Sequence, residues 1–126
     1  MNTTTKIFTL LALTVLSLGF LQSCKNKEPS IVKVYVRTAS NAIASGVKVI
    51  LIGDQNSNPA TNAFVDTLVT NNSGFVEFNM EDHFSEGDKD YEVGYFRIIA
   101  KTPSAYGEGY VRARVHTTAV ETVFIQ

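Results

Sequence analysis

The chain has no tryptophan, only one cysteine, three prolines and almost no excess charge, and each shortage excludes a class of protein. The single cysteine, Cys24, cannot form an internal disulfide or supply the two thiolates that many zinc sites require. Eleven Lys and Arg against twelve Asp and Glu give a net charge of -1. We therefore expect no nucleic-acid partner, because such domains usually carry a basic excess. A length of 126 residues allows one domain, with or without a targeting segment.

An uncharged apolar run near the start of the chain is too short to cross a membrane. It covers residues 7–21 and follows a short polar start that contains Lys6. As a helix it would reach about 22 Å, whereas the hydrocarbon core of a bilayer measures about 30 Å. A positive start followed by a short apolar run is typical of a secretory signal peptide.

The residues that follow this run resemble the lipobox of bacterial lipoproteins, Leu21-Gln22-Ser23-Cys24. In that family a leucine stands three positions before the cysteine, and a small residue stands directly before it. The resemblance implies cleavage before Cys24 and attachment of acyl chains, such as palmitate, to the cysteine. We therefore expect residues 1–23 to be a lipoprotein signal peptide and the membrane to be a partner through the acyl chains on Cys24.

A short polar tether separates the lipidated cysteine from the rest of the chain. Residues 24–30 show no apolar periodicity and contain a proline. The six residues after Cys24 extend at most about 20 Å, so the folded part should lie close to the lipid. Lys25 follows the cysteine where Asp would favour inner-membrane retention in well-studied lipoproteins, so the resemblance implies the outer membrane. Both the periplasmic and the cell-surface face stay open.

Residues 31–126 carry the period-two patterns of an all-β domain. Val32, Val34 and Val36 alternate with polar or larger residues, which predicts a half-buried strand. The β-branched residues of 47–52 predict a strand that is covered on both faces. The predicted strands are 31–37, 47–52, 64–70, 75–79, 91–101, 110–115 and 120–125. No helical stripe of ten residues interrupts them, so we expect a single Greek-key, immunoglobulin-like β-sandwich of about seven strands.

Three segments between the predicted strands carry turn or bulge signals. Residues 71–74 predict a tight turn in which Gly74 adopts a positive φ. Residues 81–90 predict an acidic loop, and residues 102–109 a turn region. Gly94 lies inside a predicted strand, where it would mark a bulge.

The mature domain resembles the carboxypeptidase regulatory-like, or transthyretin-like, β-sandwich family. The similarity lies in the alternating valines of the first strand, in Gly-Val-Lys-Val-Ile-Leu at 46–51, and in Thr-Asn-Asn-Ser-Gly-Phe-Val-Glu-Phe at 70–78. Members of this family are often accessory or interaction modules of bacterial cell-surface proteins. The resemblance therefore implies a non-catalytic domain.

No catalytic constellation is visible in the chain. His83 and His116 are the only histidines, and they lie too far apart in sequence for a paired metal-ligand motif. No Gly-x-Ser-x-Gly nucleophile motif is present. The hydroxyisourate hydrolase shares the transthyretin-like fold, but its C-terminal Tyr-Arg-Gly-Ser is missing from this chain. We predict no enzymatic activity and no cofactor.

Two further site hypotheses receive less support than simpler interpretations. The acidic segment 81–92 holds six carboxylates, among which Asp88 and Asp90 would begin a calcium site. The EF-hand pattern is absent, so we interpret the segment as a solvated loop and predict no metal site. Lys33 would be the donor of an isopeptide crosslink, but the last strand carries no asparagine to receive it.

Tyrosines are the best candidates for binding residues, because their rings are rigid and amphipathic. Tyr35, Tyr95, Tyr106 and Tyr110 lie where alternation or loops would expose them, and the segment 106–110 reads most like a loop. The strong alternative is that they pack over the edge of the core.

Two functions from different classes remain on these grounds. The first is a non-catalytic, lipid-anchored cell-envelope protein that binds an integral or peripheral outer-membrane protein as an accessory subunit of its assembly. The second is a free-standing surface binder of glycan or peptidoglycan. The absence of tryptophan, the ring most favoured for stacking on sugars, weighs against the second.

The substitution Cys24→Ala tests the lipid anchor. It removes the thiol that would carry the acyl chains, so we expect an uncleaved or soluble precursor instead of a membrane-bound mature protein. Detergent phase partitioning and the mass of the purified protein measure both effects. Full partitioning into detergent at the mature size would contradict the lipobox interpretation.

Overall fold

A computed structural model describes residues 28–85 and 92–126 of the chain. Within these ranges the chain forms strands at nearly all the predicted positions, which confirms the all-β prediction. The elements are β1 (Ile31–Thr38), β2 (Lys48–Gly53), β3 (Val65–Val69), β4 (Phe75–Asn79), α1 (Glu81–Ser85), β5 (Val93–Lys101), β6 (Tyr106–Arg114) and β7 (Thr118–Ile125).

The strands form two sheets that pack face to face. The three-stranded sheet has the order β4-β1-β7, and the four-stranded sheet has the order β3-β2-β5-β6. Only β1 and β7 pair in parallel, and every other pair is antiparallel. After β3 the chain crosses to the other sheet for β4, and β5 returns to pair with β2. This non-sequential pairing is the Greek-key relation expected of such a sandwich.

Alternation along the strands produces the core. In β1 the side chains of Val32, Val34 and Val36 are buried, while their neighbours are half-buried. These valines pack between the sheets with Phe78 of β4 and Phe96 of β5. Burial of a side chain of this kind contributes about 1.5–3 kcal/mol, so the facing inner surfaces account for most of the stabilisation of the domain.

The prediction of a turn over residues 102–109 is wrong in its second half, because β6 begins at Tyr106. Gly107 and Gly109 are inward-facing strand residues. A Cβ atom on Gly107 would collide with the carbonyl oxygen of Phe124, and one on Gly109 would lie 2.8 Å from a methyl carbon of Val123. The glycines therefore serve the close approach of β6 to β7, not a turn.

The acidic segment begins with a short helix where we predicted only a loop. The side-chain oxygen of Asn79 accepts a hydrogen bond from the backbone N–H of Glu81 at 2.9 Å. Glu81 and Asp82 lie in the first turn, where negative charge is favoured by the helix dipole. These local contacts allow a single turn of helix in a segment too short to show a helical stripe.

The predicted bulge at Gly94 is absent. The pairing of β5 with β6 runs without interruption from Val93 opposite Arg114 to Lys101 opposite Tyr106. A Cβ atom on Gly94 would lie 2.7 Å from a ring carbon of Phe96. The glycine therefore accommodates a buried aromatic ring.

Gly74 closes the turn between β3 and β4 with φ at 75°. An added Cβ atom would lie 2.7 Å from Cγ2 of Ile43 and 3.2 Å from the carbonyl oxygen of Val36. Gly46 has a similar φ of 69°, but no atom lies within 4 Å of its Cβ position. Substitutions at the two glycines therefore distinguish the free-energy cost of a positive φ from the cost of steric contact.

We expect Gly74→Val to lower the free energy of unfolding by more than about 1 kcal/mol, because a β-branched residue resists positive φ and meets its neighbours here. Gly46→Val is the control that shares the backbone cost without the contacts. Urea denaturation measures both variants. An unchanged midpoint for Gly74→Val, or an equal loss for both variants, would contradict this account of the turn.

Candidate binding face

The surface of the four-stranded sheet that points away from the three-stranded sheet is here called the outer face. Apolar and polar side chains share each cross-strand row of this face, and the apolar ones are concentrated toward its β3 edge. The apolar side chains come from β3, β2 and β5: Val65, Val69, Ile50, Ile52 and Ile99.

These apolar side chains are not covered by another layer within the described residues. Val65 is 69% exposed and Val69 is 58% exposed, while Ile50 and Ile52 are half-buried. The prediction that β2 is covered on both faces is therefore wrong for its second face. Adjacent exposed apolar residues on a sheet face are unusual for a surface that meets only water.

The outer face carries an excess of positive charge that the composition conceals. Five basic residues lie on this face beside two acids, Glu108 on β6 and Asp54 directly after β2, which gives 5 - 2 = +3 while the whole chain has -1. The basic residues are Lys48, Arg97, Lys101, Arg112 and Arg114. Such a face attracts acidic groups and raises their rate of encounter.

Two tyrosines and one aspartate form a cluster at the end of the outer face where β2 terminates. The rings of Tyr95 and Tyr110 stack with their centroids 6.4 Å apart. The Tyr110 hydroxyl donates a hydrogen bond to Oδ2 of Asp54 at 2.5 Å. Asp54 is fixed there because its backbone N–H donates to the carbonyl oxygen of Tyr95 at 2.9 Å, which extends the pairing of β2 with β5.

The hydrogen bond between Tyr110 and Asp54 shifts the pKa values of both groups. It lowers the pKa of the Asp54 carboxyl, assisted by the backbone N–H of Asn56. The negative carboxylate raises the pKa of Tyr110 to about 12. Both shifts favour the state in which the phenol is neutral and the carboxylate is charged.

A second polar cluster lies along β5 and β6. The Arg97 guanidinium contacts Glu108 with an Nη2 to Oε1 distance of 2.7 Å. The Tyr106 hydroxyl donates to the same carboxylate. The guanidinium is the main cause that lowers the pKa of Glu108. The only acid among the outward-facing strand residues is thus already engaged.

A shallow cavity of about 310 Å³ opens beside the tyrosines. Its volume lies at the lower limit for small-molecule sites. Its lining combines a ring, amides, a carboxylate and a guanidinium: Ile52, Gly53, Asp54, Gln55, Asn56, Arg97 and Tyr110. Such a lining is able to hydrogen-bond a polar ligand while it stacks on the ring.

The structure brings three of the four predicted tyrosines to the outer face. Tyr95, Tyr106 and Tyr110 lie there, on strands and not on a loop as predicted for the segment 106–110. Tyr35 lies on the opposite sheet, where its ring contacts Phe75 at a centroid distance of 5.5 Å. The four residues therefore do not form one site.

Lys33 lies beside Tyr35 and makes an ordinary surface ion pair. Its ammonium group is 3.1 Å from Oε1 of Glu77 and 4.0 Å from the ring centroid of Phe75. A pair this exposed contributes little to stability, because water and salt screen it. Its place in the fold is thus explained by local packing and charge.

The two histidines lie in different surroundings. His83 is buried between α1 and the sheets, and its ring packs against Phe64, Phe84 and Phe96. His116 has a positive φ of 57° in the turn between β6 and β7. The described residues contain no group of three His, Cys, Asp or Glu side chains able to hold a metal ion.

Several predicted features lie outside the described residues. These are the signal peptide, Cys24, most of the tether, and the calcium candidates Asp88 and Asp90. Within residues 28–85 and 92–126, no helix is long and apolar enough to cross a membrane.

Asp54, Arg97 and Glu108 were not among the site residues predicted from the sequence, and neither was the common face of the basic residues. Alternation along single strands indicates part of this face, because it places Arg97 and Lys101 on one side of β5 and Arg112 and Arg114 on one side of β6. The pairing register that joins these sides to Lys48 is a tertiary property, so the charge excess could not be located from the sequence.

Comparison with known proteins adds no relative. No protein-family model matches the chain, and a search of curated proteins found no match.

The substitution Tyr110→Phe tests the bond to Asp54 through its pH dependence. Folding raises the pKa of Tyr110 from 10.0 to about 12. Its contribution to stability is therefore fully present below about pH 10 and lost as the pH rises through about 12. We expect the free energy of unfolding to fall less steeply in this window for Tyr110→Phe than for the wild type, as measured by urea denaturation at several pH values.

Tyr95→Phe is the matched control, because it keeps the bond between Tyr110 and Asp54. We expect its pH profile to follow that of the wild type. Equal slopes for Tyr110→Phe and the wild type would show that this bond does not persist in solution.

Proposed function

We propose that this protein is a non-catalytic, lipid-anchored protein of the bacterial outer membrane. In this proposal it serves as an accessory subunit of an outer-membrane protein assembly, and the outer face is its docking surface. The lipobox resemblance at Cys24 supports the anchor. The resemblance to carboxypeptidase regulatory-like domains supports the role of an interaction module.

One observation favours a protein as the partner. The outer face combines exposed apolar residues with tyrosines and basic side chains, and Val65 and Val69 are its most exposed apolar members. Interfaces place apolar and aromatic groups at the centre and polar groups at the rim. The opposite sheet also exposes Val120 and Phe124, but its Lys33 and Glu77 already pair with each other.

The start of the described chain gives the domain a consistent orientation for such docking. Ser30 is buried, and its hydroxyl accepts a hydrogen bond from the backbone N–H of His116 at 2.7 Å. Ile31 donates to the carbonyl oxygen of Thr117 at 3.0 Å. The chain therefore enters at a fixed end of the sandwich. With a tether of about 20 Å, an anchor at Cys24 would draw this end toward the lipid and leave the outer face free at the side.

The alternative function, glycan or peptidoglycan binding, is favoured by a different observation. The cavity beside Tyr110 has a ring, two amide side chains and a carboxylate within one lining. Aromatic stacking with flanking hydrogen-bond groups is suited to a sugar. A glycan that binds the wild type and loses affinity in Tyr110→Ala would favour this alternative over the protein partner.

Co-purification of the full-length protein from its own membranes in mild detergent tests the docking surface. The double variant Val65→Gln and Val69→Gln removes the most exposed apolar groups of the outer face without changing its charge. We expect a stoichiometric membrane protein with the wild type and at least a fivefold loss, roughly 1 kcal/mol or more, with this variant.

The double variant Val120→Gln and Phe124→Gln is the matched control, because these residues have similar exposure on the other sheet. We expect it to retain the partner. A wild-type protein that purifies alone, or equal losses in the two double variants, would contradict the proposed docking surface.

A further inference from the structure

We propose that Lys48 and Lys101 form a binding site for a carboxylate on an acidic segment of the protein partner. This inference rests on the proposed function and names the chemistry of the partner at one end of the outer face. The site lies at the opposite end of the strands from the Tyr110 cluster.

The two lysines are direct cross-strand neighbours. Lys48 of β2 lies opposite Lys101 of β5 in the antiparallel register, and both side chains point outward and are exposed. Side chains at opposite positions have Cβ atoms about 5 Å apart, and like charges at such positions destabilise a sheet. The fold therefore places two lysine side chains at opposite positions, where their like charges lower the stability of the sheet.

No acid of the described part of the chain offsets this repulsion. Neither lysine has a carboxylate within 4.0 Å, since the two ion pairs found there are Lys33 with Glu77 and Arg97 with Glu108. The two acids of the same face are already engaged, Glu108 by Arg97 and Tyr106 and Asp54 by Tyr110. A bound anion would supply the missing negative charge.

A cavity beside the lysines gives an anionic group room to bind. Its volume is about 440 Å³, larger than that of the cavity beside Tyr110. Its lining combines the two lysines with apolar and small residues: Gly46, Lys48, Val69, Lys101, Thr102 and Pro103. A carboxylate can contact both ammonium groups while its carbon chain lies against Val69 and Pro103.

The surroundings indicate a protein segment as the source of the carboxylate. Val69 lines this cavity and is also one of the exposed apolar residues of the outer face. The face as a whole has an excess of three positive charges over negative ones, from five basic residues and two acids, Glu108 and Asp54. Acidic side chains interspersed with apolar ones would match this surface in both properties.

The test uses the full-length protein in a neutral detergent and a blocked peptide of alternating glutamate and leucine as the probe. We expect the peptide to shift the backbone amide NMR signals of Val69, Lys101 and Thr102. The double variant Lys48→Gln and Lys101→Gln should weaken its binding by about fivefold or more. Lys33→Gln, on the other sheet, should leave the affinity unchanged.

Thermal unfolding provides a readout that a purely structural role of the lysines would not give. Without the peptide, the Lys48→Gln and Lys101→Gln double variant should unfold at a temperature about 2 °C higher than the wild type, because the repulsion is removed. A variant that is more stable and yet binds less well supports a site kept for a ligand. Equal peptide affinity in the variant and the wild type would overturn the proposal.

Two other probes check the identity of the anion. Inorganic phosphate that binds at the same amide signals more tightly than the peptide would overturn the carboxylate assignment. Vesicles containing phosphatidylglycerol that bind through these lysines, while the peptide does not bind, would overturn it in favour of a membrane surface.

Co-purification separates this proposal from the proposed function. Loss of peptide binding in the lysine variant together with a fully retained membrane partner would overturn the acidic partner segment and leave the docking surface in place. Parallel loss of the peptide and the partner supports both. Absence of a partner from the wild type would overturn the proposed function and with it the assignment of the carboxylate to a partner.

Discussion

The outer face depends on how closely β6 approaches β7. Gly107 and Gly109 face inward at this contact, and a side chain on either residue would meet β7. The backbones of Tyr106 and Gln126 also exchange hydrogen bonds of 3.0 and 3.1 Å, which join the two sheets at one edge. Because side chains alternate along a strand, inward glycines at 107 and 109 force Tyr106, Glu108 and Tyr110 outward. The closure of the sandwich and the composition of the outer face thus have one cause.

The role of the same glycines could not be predicted from the sequence. A glycine every second residue between tyrosines reads as a loop, because glycine weakens a strand that is considered alone. The partner that makes glycine necessary is β7, which lies in the other sheet. By contrast, β1 and β4 carry their own signal, since Val32 and Phe78 stand in regular alternation and pack into a common core. Patterns within one strand were sufficient for the fold class, while contacts between sheets decided where β6 begins.

The candidate site, too, could be predicted from the sequence only in part. Alternation predicted exposed tyrosines, and Tyr110 does lie on the surface. Its partner Asp54 is 56 positions away in the chain, so no local pattern could join them. The charge of the outer face is hidden even more completely, since the sequence total of -1 is the sum of a face of +3 and an acidic remainder. The net charge describes the whole chain, whereas a binding surface depends on where the individual charges lie.

In the proposed function, this protein and its partner are held in one membrane. Two proteins in one membrane meet at a high effective concentration, so an interface between them needs less intrinsic affinity than one between freely diffusing partners. Exposed charges such as Lys48 and Lys101 add little affinity in water, but they guide orientation and disfavour partners of the wrong charge. A face that combines apolar and basic residues would therefore suit selection among neighbours in the same membrane. In the proposed function the tether and the outer face would be complementary parts, because the tether would supply proximity and the outer face selectivity.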